Sequence, residues 1–177
     1  MHRAEPMGFA YGDTRVVQQS SSMRAIFSII RDNEIETVIE LGTHFGGFAL
    51  MVSDCFKSLA VHTFDKTDQY LTDAVRHSKK IKFNKVDVLN DPDPVLNLLK
   101  LKKKTLLYCD NGDKIKEFDL YADGLKPGDI IGCHDWGTEI DAKDIADIIT
   151  DDKFVPVEHD LFQKEMWLAR FWQKIVK

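Results

Sequence analysis

Cysteine is scarce: three residues in 177, Cys55, Cys109 and Cys133, none in a CxxC spacing. An odd count without paired spacing excludes a disulfide framework and a zinc knuckle, so the thiols are expected reduced and packed inside. Proline, at five, and glycine, at ten, are also few, which excludes a disordered or low-complexity chain. No apolar run reaches the roughly 20 residues that cross a bilayer. Met1 to Gly12 lacks the charged, apolar and cleavage regions of a secretory signal, and the expected location is the cytoplasm. Positive charge is not in excess either, with 24 basic against 29 acidic residues, and Lys102-Lys103-Lys104 is the longest basic run. Neither a membrane nor a nucleic acid is therefore an expected partner. What the chain does have is 44% hydrophobic residues, enough for one core. One domain is expected over 1–177, with an N-terminal arm at 1–17 and a core at 18–172.

Hydrophobic spacing organises that core. Met23, Ile26, Phe27 and Ile30 recur at helical intervals and predict a helix from Ser20 to Asn33. Thr37 to Leu41 is a β-branched run closed by Gly42, which predicts a buried strand, with a helix over Phe48 to Phe56. The same unit recurs. Val61 to Phe64 leads to Tyr70 to Ser78, Ile81 to Val88 to Pro92 to Leu99, Thr105 to Cys109 to Ile115 to Leu125, and Asp129 to Cys133 to Ala142 to Thr150. Five strands alternating with helices imply right-handed crossovers and a parallel sheet covered on both faces. Phe154 to Glu158 and Met166 to Trp172 then follow with only His159 to Glu165 between them. A gap that short admits no helix, so the last strand must run antiparallel, beside the fifth. The expected fold is α/β: a doubly wound, Rossmann-like sheet of about seven strands, mostly parallel with an antiparallel last strand, and helices on both faces.

Ligands of such sheets bind beyond the carboxyl ends of the strands. The residues there are glycine or acid. Glu40-Leu41-Gly42-Thr43-His44-Phe45-Gly46-Gly47 is a glycine-rich turn whose GxxxGG spacing is neither the GxGxxG of a dinucleotide turn nor a phosphate loop. Asp65 follows the second strand, beside Lys66, which would suit a phosphate. Asp87 follows the third, with Asn90 and Asp91 close by and Asp91 a candidate cap for the helix after Pro92. Asp110 follows the fourth strand and His134-Asp135 the fifth. Because side chains alternate along a strand, Cys109 and Cys133 face away from the acids that follow them.

Val38 to Gly47, with this order of elements, resembles the first motif of the class I S-adenosylmethionine-dependent methyltransferases. The resemblance implies S-adenosylmethionine as cofactor. It places the methionine end over Glu40, Gly42, Thr43 and Gly46, the ribose hydroxyls on Asp65, the adenine near Asp87, and Asp110 beside the methionine end and the acceptor. Tyr108 to Lys114, taken with Leu125 to Trp136, resembles the small O-methyltransferases of the catechol, caffeoyl-CoA and cephalosporin-hydroxylase-like groups. Many of these bind a divalent cation. By position, Asp110, His134 and Asp135 would hold Mg²⁺ or Mn²⁺, and Asp110, Lys114 and Asp135 would form the catalytic set, with Lys114 as proton acceptor. The chain departs from the pattern in having three residues, not two, between Asp110 and Lys114, and a histidine at 134 where an acid or amide is usual.

The implied activity is methylation of an oxygen of a small-molecule acceptor, assisted by the cation. The acceptor pocket is expected to be shallow and completed by Met1 to Val17 or by a second subunit in a homodimer. A nicotinamide-dependent oxidoreductase using NAD or NADP shares the acid after the second strand, but GxxxGG and the reversed terminal strands oppose it. A non-catalytic S-adenosylmethionine-binding protein is the other alternative.

Overall fold

The computed structural model describes residues 8–157 and 169–175. A hairpin of β1 (Phe9–Tyr11) and β2 (Thr14–Val16) comes first and stands apart from the main sheet. There follow α1 (Ser20–Asp32), β3 (Thr37–Leu41), α2 (Gly47–Cys55), β4 (Ala60–Asp65), α3 (Asp73–Arg76), β5 (Ile81–Lys85), α4 (Asp93–Leu99), β6 (Thr105–Cys109), α5 (Lys114–Tyr121), β7 (Ile130–Cys133), β8 (Phe154–Pro156) and β9 (Arg170–Lys174). The main sheet has seven strands in the order β5-β4-β3-β6-β7-β9-β8. β5, β4, β3, β6 and β7 run parallel, and β9 enters antiparallel beside β7, the fifth parallel strand. Of the predicted last run, Met166, Trp167 and Leu168 lie outside the described residues, as does the gap His159 to Glu165.

Both faces of the sheet are buried, and period-two alternation sorts the side chains between them. Val38, Val61, Leu106, Tyr108 and Ile130 pack under α1 and α2, where Met23, Ile26, Ile30, Phe48 and Val52 lie at helical spacing. Ile39, Leu41, Phe64, Leu107 and Ile131 pack under α4 and α5 with Leu99, Phe118 and Tyr121. Cys109 and Cys133 belong to this second core, packed inside as expected. Cys55 is a correction: it ends α2 and is exposed.

Three further expectations change. The arm before Gln18 carries the hairpin, whose Arg15 carbonyl packs against Gly47. Asp91 caps nothing; α4 starts at Asp93 behind Pro92, with no side-chain cap. The helix expected from Ala142 to Thr150 is a series of turns. Asp141 and Asp144 cap its start, Asp144 accepting from Asp141 N at 2.9 Å and Asp141 from Lys143 N at 2.9 Å, but the backbone beyond closes as turns, with Ile148 N on the Ile145 carbonyl at 3.0 Å. Ile145 is buried nonetheless, so its apolar residue is used without the helix.

The antiparallel insertion depends on a missing side chain. Gly132 pairs with Phe171 across β7 and β9, and a Cβ on it would lie 2.1 Å from the Phe171 ring. That ring stacks on Tyr108, which stacks on Phe48. Gly132→Ala should therefore destabilise by about 1–3 kcal/mol through overpacking, read as a lower thermal midpoint, and Phe171→Leu in the same chain should recover part of the loss. An alanine variant that melts with the wild type would contradict this.

Candidate active site

The glycine turn between β3 and α2 is shaped by neighbouring backbone. Gly42 has φ +95°, and a Cβ there would lie 2.3 Å from the Asp110 carbonyl oxygen. Gly46, at φ +78°, lies against Val75 of α3, and Gly47 against Arg15 of the hairpin. Close backbone approach requires glycine at 42 and 47, and positive φ favours it at 42 and 46. The turn is pinned to β4 by Asp65, whose two carboxylate oxygens accept from His44 N and Thr67 N, each at 3.0 Å. Beneath it, Glu40 is 3% exposed and accepts from the Thr63 hydroxyl at 2.5 Å, and Thr63 in turn meets Thr43 at 2.6 Å. Burial raises the Glu40 carboxyl well above its ordinary range, against the lowering by Thr63.

A small cleft of about 20 Å³ opens here, lined by Gln18, Glu40, Gly42, Thr43, Gly47 and Asp110 among others. Gln18 is buried and spans it, donating to Asp110 Oδ2 at 2.8 Å and accepting from the Tyr108 hydroxyl at 2.9 Å. Asp87 is not among the lining residues; its carboxylate braces its own loop, accepting from Leu89 N at 3.2 Å and Asn90 Nδ2 at 2.9 Å.

Beside the cleft, β6, β7 and α5 bring opposite charges together. Lys114 is the first residue of α5, where a side chain leans back toward the strand end. Its Nζ lies 2.6 Å from Glu139 Oε2, 2.9 Å from Asp135 Oδ2 and 3.6 Å from Asp110 Oδ1, and its side chain is only 2% exposed. His134 Nδ1 lies 3.2 Å from Asp135 Oδ1 and 3.4 Å from Asp110 Oδ1. Asp135 holds a left-handed backbone, φ +57°, and Gly137 another, φ +83°, which folds the loop back so that Glu139 reaches the lysine.

Burial would lower the Lys114 pKa, but Asp110, Glu139 and Asp135 raise it. Three carboxylates around the ammonium thus favour its charged form. Burial likewise opposes charge on Asp135, yet hydrogen bonds from His134 and Lys114 hold it at about 2. Asp110 moves the other way, raised by burial against the pull of His134 and Lys114.

Of the expected site residues, Glu40, Gly42, Thr43 and Asp110 meet at the cleft, Asp65 ties its turn, and Asp110, Lys114, His134 and Asp135 form the charged cluster. Gln18 and Glu139 were not anticipated. The first sits in a segment without a motif; the second's only signal is its place four residues after Asp135.

No protein-family model and no curated protein matches the chain. Solved structures resemble it. CmcI in an apo form superposes with TM-score 0.77 at 14% identity, over 96% of this chain and 77% of its own. CmcI with magnesium and S-adenosylmethionine gives 0.75 at 13% over 95% and 77%. An S-adenosylmethionine-dependent O-methyltransferase of Thermotoga maritima gives 0.63 at 12% over 92% and 67%. The fold is therefore that of the S-adenosylmethionine-dependent O-methyltransferases.

The cluster makes stability depend on pH. Burial lowers His134, but hydrogen bonds to Asp110 and Asp135 lift it from 6.5 to about 9. Its stabilisation is complete below 6.5 and lost as pH rises through 9. Burial, opposed by Lys114, pushes Glu117 on α5 from 4.5 to about 8, with the same sign: full stability below 4.5, lost by 8. The thermal midpoint should fall between pH 6.5 and pH 9. Glu117→Gln should flatten the fall below pH 8 and His134→Gln above it. A level or rising midpoint in the wild type would contradict both assignments.

Proposed function

We propose that this protein is an S-adenosylmethionine-dependent methyltransferase acting on an oxygen of a small-molecule acceptor. The observation that carries the reading is the meeting of the glycine turn, Asp65 and Asp110 at the carboxyl ends of β3, β4 and β6, beside a charged cluster on the same sheet edge. The fold it shares with CmcI, which was solved with magnesium and S-adenosylmethionine, supports it.

The residues fit the cofactor chemically. Each Asp65 oxygen takes one backbone N–H and keeps lone pairs for a ribose diol. Glu40, Gly42, Thr43 and Gly46 shape the turn for the methionine end, and Asp87 stands for the adenine side. Bound there, S-adenosylmethionine supplies an electrophilic methyl group, and the protein contributes position and charge. Gln18 fixes one oxygen of the Asp110 carboxylate at the cleft. Lys114, kept protonated, presents positive charge to an acceptor oxygen as it becomes nucleophilic, which is electrostatic rather than acid–base assistance.

Asp110, His134 and Asp135 fit a divalent cation, since a carboxylate oxygen from each acid and an imidazole nitrogen lie within 4.8 Å of one another. An imidazole among hard oxygens inclines the set toward Mn²⁺ over Mg²⁺. Bound there, the cation would lower the pKa of an acceptor hydroxyl and orient its oxygen.

Calorimetry with S-adenosylmethionine, NAD and NADP tests the cofactor: only the first should bind. Asp65→Ala should weaken it by roughly 10- to 150-fold, the equivalent of about 1.5–3 kcal/mol for charge-assisted hydrogen bonds. Unchanged affinity would remove the assignment. Methyl transfer to a panel of hydroxyl acceptors, with and without chelator, tests the reaction, and activity should fall on chelation and return with Mn²⁺.

A further inference from the structure

Lys114 raises a question that the cation site leaves open. Its ammonium already neutralises the two acids that a divalent ion would need. Asp110 Oδ1 faces both His134 Nδ1, at 3.4 Å, and Lys114 Nζ, at 3.6 Å. Asp135 divides its oxygens, Oδ1 toward His134 at 3.2 Å and Oδ2 toward Lys114 at 2.9 Å. The lysine and the candidate cation thus draw on the same carboxylates. Two positive centres that close repel strongly where water is excluded.

The ammonium has no easy route to solvent. Lys114 begins α5, and its side chain is 2% exposed. One of its three partners differs from the others. Glu139, the nearest at 2.6 Å, belongs to no metal-ligand grouping among the described residues. It is also 49% exposed and sits on the loop turned by the left-handed Asp135 and Gly137, so its carboxylate has room to follow the ammonium.

We infer that Lys114 and a divalent cation compete for Asp110 and Asp135, and that Glu139 is the seat that takes the ammonium when the cation binds. This rests on the cation site proposed above. Glu139 is then a positioning residue: it does not hold the cation, yet it sets how tightly the cation is held. Without a cation, Lys114 keeps the acid pair neutralised. With one, the ammonium gives up Asp135 and Asp110 and keeps its contact with Glu139.

Two substitutions should move Mn²⁺ affinity in opposite directions, which a loss of structure cannot do. In calorimetric titration of the full-length protein with Mn²⁺ alone, Lys114→Gln should bind about tenfold more tightly, because the competitor is gone, and Glu139→Gln about tenfold more weakly, because the ammonium has lost its second seat. In the double variant the Glu139→Gln effect should vanish. Asp135→Asn should abolish the binding and so locate it. Thermal melts identify any variant that fails to fold; should Lys114→Gln fail, Glu139→Gln, at a half-exposed residue, decides alone. The inference is overturned if Lys114→Gln binds Mn²⁺ no more tightly than wild type, if Glu139→Gln binds it as well as wild type, or if no variant binds it. S-adenosylmethionine calorimetry on the same samples separates the two readings. Cofactor binding with no such Mn²⁺ pattern removes this inference alone, and the Mn²⁺ pattern without cofactor binding removes the methyltransferase reading alone.

Discussion

Three strand ends meet at Gly42, and that contact tolerates no side chain. The Gly42 N–H donates to the Phe64 carbonyl of β4 at 2.8 Å, and the Asp110 N–H donates to the Leu41 carbonyl of β3 at 2.9 Å. The Asp110 carbonyl fills the place where a Cβ would stand. The chain can turn there because its φ is positive, a conformation glycine adopts without steric cost. Everything chemical hangs from this junction. It sets where the turn to α2 begins, it brings β6 to an end at Asp110, and it points the Asp110 carboxylate toward Gln18, His134 and Lys114.

The charged cluster that follows is built against local preference. A lysine at the first position of a helix opposes the helix dipole, and a nearly buried ammonium is costly to desolvate. Three carboxylates offset both costs, and Asp135 contributes from a strained left-handed backbone. Strain of this kind persists where the surroundings over-determine it. Here Lys114 and His134 both engage the Asp135 carboxylate, while its carbonyl accepts from Thr138 N and Glu139 N. An arrangement so constrained is the physical basis for reading the cluster as working machinery rather than as a surface ion pair.

Most of the sheet was legible because its signals are local. β-branched runs closed by glycine or acid gave the parallel strands, and the short interval before the last run required reversal, which β9 shows beside β7. Cys109 and Cys133 pack in the core as expected. Legibility failed where a local signal did not carry through. The segment from Ala142 to Thr150 has helical spacing of its isoleucines and a capping pair, Asp141 and Asp144, at its start, yet its backbone closes as turns. Lys114 shows the same limit: three carboxylates converge on it, which its spacing from Asp110 does not reveal.

The sequence by itself determined the periodicities, the turn chemistry and the set of acids at strand ends, because each depends on residues within a few positions of one another. Tertiary structure decided the rest. Gln18 and Asp110 are 92 residues apart and Lys114 and Glu139 are 25 apart, so only the packed sheet and the left-handed loop bring their polar atoms into reach. Whether a lysine is a base or a fixed cation is likewise set by the charges and the water around it, and those exist only once the chain has folded.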